Sequence, residues 1–332
     1  MAARPGGRPP RYAHPVLSGR ALRVVIVGLL VLAGVPGVLA WFGAWAWWLD
    51  LFAHFRLQYT AALVPALALA LAARRWRLAL LAALLLLPNL VPIARLTLTT
   101  TPTASDPPLA LAHFNLLTSN REHAAVTAWI ANSGAALVSL QEVDARWAAV
   151  LAEVPGYHLL HALPRADNFG LAILLRDDAT ELVTAVTPLE LAGMPALAVQ
   201  LRHAERPLAL LSLHTLPPVS QRYSETRDAQ LAAAAAWAQA QREAGAAPVI
   251  LGDFNATPFS RALAPLIAAD LLDSLRAGGL WTAGSWPDLA WPLRIAIDHC
   301  WHDARLVSRD RAIGPALGSD HRPLRLDLRW AR

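Results

Sequence analysis

Three strings in the last third of the chain close apolar runs with carboxylate, amide and imidazole groups: Gly252-Asp253-Phe254-Asn255, Ile297-Asp298-His299 and Gly318-Ser319-Asp320-His321-Arg322-Pro323. Short apolar runs predict β-strands, whose ends would aim these groups at a common cleft. Cleaving a phosphoester calls for a metal, an activated water and charge stabilisation, and these residue types supply all three. The segment Pro248-Val249-Ile250-Leu251-Gly252-Asp253-Phe254-Asn255 is the most specific. Gly252 permits close approach, and Asp253 and Asn255, separated by one residue, share a side of an extended chain. Asp253 can take a proton from water while Asn255 holds that water or a phosphate oxygen; an Asn-containing turn is the alternative. Asp298 against His321 would fix the imidazole tautomer and stabilise its cation. Asp320 precedes His321 and, on extended backbone, points the other way.

Three earlier strand ends repeat the design. His113-Phe114-Asn115 delivers an amide that can bind a metal, orient a carboxylate or form a turn. Leu140-Gln141-Glu142 delivers a carboxylate suited to Mg²⁺, or a solvated group opening the loop before Trp147. Leu211-Ser212-Leu213-His214 delivers an imidazole able to donate a proton to a leaving oxygen or to bind phosphate, and Pro217-Pro218 ends that strand.

Taken in order, Asn115, Gln141-Glu142, His214, Gly252-Asp253-Phe254-Asn255, Asp298-His299 and Ser319-Asp320-His321-Arg322-Pro323 resemble the motif series of the endonuclease/exonuclease/phosphatase superfamily, the DNase I-like proteins. Asn168-Phe169-Gly170-Leu171-Ala172-Ile173 resembles that family's strand after the Glu motif. The likeness spans about residues 109–330. It implies an α/β (α+β) domain built as a four-layer αββα sandwich, with Mg²⁺- or Mn²⁺-dependent phosphoester hydrolysis. Carried over, Glu142 is the main metal ligand, helped by Asn115 directly or through water, with Asp320 assisting. Asp253 and Asn255 activate and orient water, His321 oriented by Asp298 contacts the scissile phosphate, and His214 falls where relatives place a His or Tyr near the leaving group. Some nuclease relatives have an acidic residue where this chain has Leu117, so that strand is not expected to give a second acidic ligand.

Charge balance points to a metal independently. Glu142, Asp253, Asp298 and Asp320 would meet an anionic substrate, and each carboxylate pair ~4 Å apart repels by about 4 kcal/mol at an effective dielectric of roughly 20. A divalent cation turns that repulsion into Lewis-acid catalysis. Trp281, Trp286 and Trp291 suit stacking on a base, lining an acyl groove, touching a bilayer or ordinary packing. Arg294 suits gripping a phosphate or sitting at an exposed strand edge.

Holding these groups together takes a folded domain, and the chain joins one to a membrane region. Of 332 residues, 55% are hydrophobic and 16% charged, more apolar than soluble domains usually are. The excess lies before residue 95. Residues 24–49 carry no charge and exceed what a ~30 Å hydrocarbon core needs; 57–73 and 78–94 are uncharged and at the short limit. The first run is too long, and lacks a clear A-x-A cleavage site, for a signal peptide. Trp41, Trp45, Trp47 and Trp48 at its end form an aromatic belt. Three transmembrane helices are therefore expected, about 24–49, 57–73 and 78–94, after an Arg-rich tail 1–23. All 29 basic residues are Arg and the net charge is +5. Arg4, Arg8, Arg11, Arg20 and Arg23 precede the first run, and Arg74, Arg75 and Arg77 separate the second and third. Such residues stay cytoplasmic, which puts the remainder outside and accounts for the surplus charge without nucleic acid. Cys300 is the only cysteine, excluding an intrachain disulfide and a multi-thiolate metal site.

Residues 96–108, rich in Thr and Pro, read as a linker to a domain over 109–332. Strands are expected at 109–114, 137–140, 170–175, 196–201, 208–213 and 249–251, and helices at 122–131 and 225–244. The expectation is a multi-pass cell-membrane phosphoesterase with its catalytic domain extracytoplasmic and the lipid bilayer as partner. Tethering raises the effective concentration of a membrane substrate, which favours lipid-linked or small phosphoesters. Nucleic acid is the alternative substrate, but no basic stripe with interleaved aromatics appears. An inactive binding protein on the same fold is the other, yet Glu142, Asp253, Asn255, Asp298 and His321 are all kept.

Overall fold

The structure, a computed structural model, describes residues 19–98, 103–104, 106–277, 279–290 and 292–332. Arg4, Arg8 and Arg11, the linker positions 99–102 and 105, and Trp291 lie outside the described residues. Among these, three helices are long and apolar enough to cross a membrane: Gly19–Phe42, Trp47–Ala72 and Trp76–Thr97. The first does not run on to residue 49. It passes through a π turn at Leu30–Gly34, just before Pro36, closes with a 3-10 turn at Ala40–Phe42, and Trp47 starts the next helix. Uncharged turn residues 43–46 carry no hydropathy signal, so the break is invisible to a charge count.

Local chemistry binds the three helices. Pro92, inside the third, has no N–H to offer the Pro88 carbonyl one turn earlier. Trp41 Nε1 at 3.1 Å and Arg56 Nη1 at 2.8 Å donate to that oxygen instead. A Cβ at Gly37 would lie 2.5 Å from the Asn89 amide nitrogen, so glycine is what lets the first helix approach the third.

The remainder folds into β1 (Leu109–Asn115), β2 (Leu137–Gln141), β3 (Tyr157–Leu163), β4 (Leu171–Arg176), β5 (Val183–Leu191), β6 (Met194–His203), β7 (Arg206–Leu213), β8 (Ala247–Asp253), β9 (Leu271–Asp273), β10 (Asp298–Asp303), β11 (Leu306–Ile313) and β12 (Leu324–Trp330). They form two six-stranded sheets, ordered β11-β12-β1-β2-β4-β3 and β5-β6-β7-β8-β10-β9. The β1–β2 and β7–β8 pairs are parallel, bridged by helices His123–Asn132 and Gln221–Glu243; the others are antiparallel. Ser220 caps the second helix, its Oγ accepting from Tyr223 N–H at 3.2 Å.

The sheets face each other across one apolar layer, while helices cover their outer faces. The period of two decides which residue goes where. In β1, Leu109 and Leu111 enter the layer between the sheets, and Ala112 and Phe114 pack beneath the helices with Val126, Ile130 and Trp147. In β8, Val249 and Leu251 face inward, and Ile250 and Phe254 face the other helical layer. This is the expected four-layer αββα sandwich.

The same alternation places the site. Continued along each inner face, apolar residues give way to His113 and Asn115 on β1, Ser139 and Gln141 on β2, and Ser212 then His214 on β7. On β8 the inner face ends at Asp253. The β10 strand runs antiparallel to β8, with Asp298 directly opposite Asp253. Ser139 and Ser212 hydroxyls meet at 2.7 Å where apolar layer becomes polar floor. His299, on the opposite face, is buried against Asp273 Oδ2 at 3.0 Å and the Ala256 carbonyl at 2.9 Å. That pair holds the Asp273 carboxyl below the usual carboxylate range: burial pushes it up, and the His299 charge and hydrogen bond outweigh burial.

The three apolar helices dock on this domain through the start of the second. Buried Asp50 accepts from Ser260 Oγ at 2.5 Å and Arg261 N–H at 3.0 Å, with Arg227 Nη2 3.7 Å away. His54 Nδ1 meets Thr257 Oγ1 at 3.1 Å and accepts from Thr257 N–H at 3.2 Å. Gln58 Nε2 donates to the Pro292 and Arg294 carbonyls at 2.9 and 3.2 Å.

A Cβ at Gly252 would run into the Leu213 carbonyl oxygen, backbone that cannot step aside. Gly252→Ala is therefore expected to destabilise the domain by about 1–3 kcal/mol, the usual cost of overpacking. Gly28→Ala, where nothing lies within 4 Å, should not. Thermal unfolding of the full chain in detergent separates the two.

Candidate active site

Asp298 sits at 0% exposure with both carboxylate oxygens taken. Its Oδ1 is 2.8 Å from His113 Nε2 and its Oδ2 is 2.9 Å from His321 Nδ1. The far side of the His321 ring then faces Asp253, with Nε2 3.5 Å from Asp253 Oδ2. The same Oδ2 lies 3.6 Å from His214 Nε2 and accepts from Asn115 Nδ2 at 3.3 Å. Asn115 Nδ2 also donates to Glu142 Oε1 at 3.1 Å. One connected set thus brings together Asn115, Glu142, His214, Asp253, Asp298 and His321.

Backbone and neutral side chains hold the set in place. Gln141 donates from Nε2 to the Leu213 carbonyl at 2.7 Å and accepts from Asp253 N–H at 3.1 Å, tying β2 to β7 and β8. Ser319 Oγ donates to the Asn115 carbonyl at 2.8 Å and accepts from His321 N–H at 3.0 Å, which pins the 318–323 segment onto β1. Asn255, at φ 46°, donates from Nδ2 to the Thr215 carbonyl at 2.9 Å, and its N–H donates to Asp253 Oδ1 at 2.8 Å. The left-handed backbone there suits Asn better than most side chains.

Electrostatics assign each group a state. Burial would lower the His321 imidazole, but the Asp298 and Asp253 carboxylates and the Asp298 hydrogen bond overcome it and hold His321 up at about 10. His321 is a cation at neutral pH. Asp298 resists the upward push of burial because His321 and His113 surround it, and it stays well below the usual carboxylate range. Asp253 is pushed up to about 7 by burial, against the pull of His321. His214 is pushed down to about 3, first by burial and then by the His321 and His113 charges, so it is neutral. A neutral imidazole donates a hydrogen bond but carries no spare proton, which limits the acid role its residue type suggests.

Asp253, Asp298 and His321 offer ligand atoms within 4.8 Å of one another, a spacing a metal could use. Charge argues otherwise: Asp298 spends both oxygens on imidazoles and His321 carries a proton. The trio is an ion-pair ladder. Glu142 fits a hard cation better. It is half-buried, with oxygens accepting only from Asn115 Nδ2, Thr118 N–H at 3.1 Å and Thr118 Oγ1 at 3.5 Å, and no basic side chain pairs with it among the described residues. A half-buried carboxylate sharing one amide with Asp253 is an oxygen-rich, anionic donor set of the kind Mg²⁺ and Mn²⁺ take.

Asp320 does not join Glu142. It is exposed, and its Oδ2 accepts from Trp286 Nε1 at 2.9 Å. Trp286, whose ring centroid lies 6.5 Å from that of His321, forms the rim beside the imidazole. Trp281 and Arg294 line a crevice with His54 of the second apolar helix, so Arg294 is not at a free strand edge. Sequence reasoning did not find the roles of His113, Gln141, Thr118 and Ser319. His113 carried a usable signal, since it lies two residues before Asn115 and hence on the same strand face. Gln141 and Ser319 are neutral residues whose partners are backbone groups, which no spacing announces.

The model of the endonuclease/exonuclease/phosphatase family matches residues 112–321, and the chain belongs to that family. Its members are phosphoester hydrolases and generally use divalent metals. No curated protein matches the chain in sequence. Among solved structures, the human Nocturnin catalytic domain with bound sulfate is similar at 17% identity and TM-score 0.54, over 69% of this chain and 97% of that one. A Bacteroides thetaiotaomicron mannosyl-6-phosphatase is similar at 14% identity and TM-score 0.52, over 66% and 99%. D. rerio TDP2 complexed with a single-strand DNA product is similar at 15% identity and TM-score 0.53, over 67% and 99%. At these identities the likeness is one of fold.

Removing one donor to a buried carboxylate leaves one of its oxygens unsatisfied. His113→Phe is expected to cost about 1–3 kcal/mol of stability, because Asp298 Oδ1 loses its donor although Oδ2 keeps the His321 ion pair. His158→Phe breaks a surface pair, His158 Nδ1 to Asp177 Oδ1 at 3.3 Å, and should cost less than about 1 kcal/mol. Chemical denaturation of both variants tests the difference.

Proposed function

We propose that this chain is a membrane-anchored, metal-dependent phosphoesterase that attacks phosphorus with water activated at Asp253. The observation that carries the proposal is the placement of Asp253 between a cationic His321, a neutral His214 and the Asn115 amide, one step from the unpaired Glu142 carboxylate. A base poised near 7 is suited to taking a proton from water at neutral pH. Asn255 keeps its amide nitrogen on the Thr215 carbonyl, which leaves its oxygen side to orient that water. His321, held by Asp298, presents a fixed positive charge for the oxygens of the scissile phosphate, and the His214 N–H can steady the leaving oxygen. Mg²⁺ or Mn²⁺, held by Glu142 with Asn115, would supply Lewis-acid stabilisation of the phosphoryl oxygens. Asp320 serves the rim through Trp286 and His321.

The three apolar helices are proposed as the membrane anchor, following the tail 1–23 and leading through residues 96–108 to the catalytic domain 109–332. Arg74 and Arg75 occupy the turn between the second and third helices and Arg77 lies in the first turn of the third, while the catalytic domain docks at Asp50, His54 and Gln58 on the other end of the second. Basic turns stay cytoplasmic, which puts the catalytic domain outside the cytoplasm. A site clamped beside the bilayer favours lipid-linked or small phosphoesters. Nucleic acid is the second candidate, on the likeness to TDP2 with its DNA product.

The full chain is expected to hydrolyse bis-p-nitrophenyl phosphate or a lipid pyrophosphate with Mg²⁺ or Mn²⁺, faster than it degrades DNA. Asp253→Ala and His321→Ala should each lower turnover by about 10²–10⁴-fold. No turnover on any of the three substrates overturns the enzyme proposal, and DNA as the best substrate overturns the substrate choice. A reporter fused after residue 332 and active only outside the cytoplasm should score positive; activity of a cytoplasm-only reporter reverses the topology.

A further inference from the structure

A second cavity, of about 380 Å³, opens where the three membrane helices meet the catalytic domain. Trp41 closes the first helix there, Arg56 lies near the start of the second, and Arg95 ends the third; Arg261 and Arg276 enter from the catalytic side. It shares no residue with the Asp253 site. Its size falls within the usual range for a small-molecule pocket, roughly 300–1,000 Å³.

The cavity holds more positive charge than the chain neutralises. Asp50 and Asp273 are its acidic lining residues, and both are spent elsewhere. The Asp50 oxygens accept from Ser260 Oγ and Arg261 N–H, and those of Asp273 from Leu275 N–H and the His299 ring. Among the described residues, the side chains of Arg95, Arg261 and Arg276 make no ion pair or hydrogen bond. Arg56 is 3% exposed, stacks 5.3 Å over Trp41, and places Nη1 on Pro88 and Asn89 oxygens. Its buried Nε has no partner. Arg56 is the buried member; Arg276 is half-buried and Arg95 and Arg261 are exposed at the mouth, and four guanidinium groups around one cavity match the planar, multi-oxygen face of a phosphate. Trp41, Leu96 and Ile267 add apolar wall at the level where the helices end.

We propose that this cavity binds a phosphate-bearing anion, carried by a membrane lipid headgroup or free in solution. Its catalytic-side wall, Pro258 to Arg261, continues from the loop that carries Asn255, so the occupant leans on the segment that follows the site. The proposal does not rest on hydrolysis and survives an inactive Asp253 site.

The full chain is placed in nanodiscs of phosphatidylcholine alone, of phosphatidylcholine with phosphatidylglycerol, and of phosphatidylcholine with added inorganic phosphate, and its unfolding temperature is read in each. A ligand that binds only the folded state raises that temperature. The wild type is expected to melt several degrees higher with phosphatidylglycerol. Arg95→Gln/Arg276→Gln should lose at least half of the increment, as should Arg261→Gln, whose side chain is exposed. Arg202→Gln/Arg206→Gln, with the same charge change on the β6–β7 turn, should keep it. An equal increment from inorganic phosphate with the same variant dependence assigns the site to free phosphate. No increment from either anion, or one that persists in both cavity variants, overturns the proposal.

Discussion

A carboxylate with no access to solvent reaches from one sheet of the sandwich to two imidazoles carried by the other. Asp298 belongs to β10 of one sheet, His113 to β1 of the other, and His321 to the loop that leads into β12. Such a carboxylate is tolerable only if both oxygens find donors, so its presence fixes the spacing of the sheets at their polar end. Every other distance in the site follows. His321 is turned so that Nε2 meets Asp253, Ser319 locks the loop to β1, and Gln141 sets the height of β8. A buried carboxylate without the histidines would be a cost; between them it becomes the counter-ion that keeps a buried imidazole protonated.

That ladder also explains how two aspartates in adjacent register, Asp253 and Asp298, do different chemistry. Asp298 is surrounded by donors and stays ionised, while Asp253 is surrounded by burial and is poised near 7. Separating two carboxylates by environment is what acid–base catalysis needs. The loop after Asp253 is further steadied from outside the domain, because Asp50 and His54 hold Thr257, Ser260 and Arg261. The apolar helices are thus part of the site's support.

Much of this was legible in the sequence because it obeys a period of two. The six expected strands all form, and their last inward positions deliver Asn115, His214 and Asp253 as expected. β12, Leu-Arg-Leu-Asp-Leu-Arg-Trp, keeps that period and was nonetheless not expected, whereas three other unexpected strands break it for physical reasons. β10 reads Asp-His-Cys-Trp-His-Asp, mostly polar yet wholly buried, because its polar groups pair with Asp273, Arg242, His113 and His321 elsewhere in the chain. β11 alternates Arg and Asp on an exposed edge, and β5 is an edge strand with an exposed face. The first apolar helix ends at Phe42, seven residues short of the end of the uncharged run, because Gly43–Ala46 is an uncharged turn. Asp50, His54 and Arg56 read as loop charges, whereas tertiary contacts make them helical and buried.

The most direct test is the charge of His321. The full chain, with ¹⁵N-labelled histidine and in metal-free buffer, is titrated by NMR, the His321 signal being identified by its loss in His321→Gln. The ladder predicts a protonated ring at neutral pH that titrates near 10, and a large downward shift in Asp298→Asn. A His321 ring that is neutral at pH 7 in the wild type, or whose titration ignores the loss of the Asp298 charge, would contradict it.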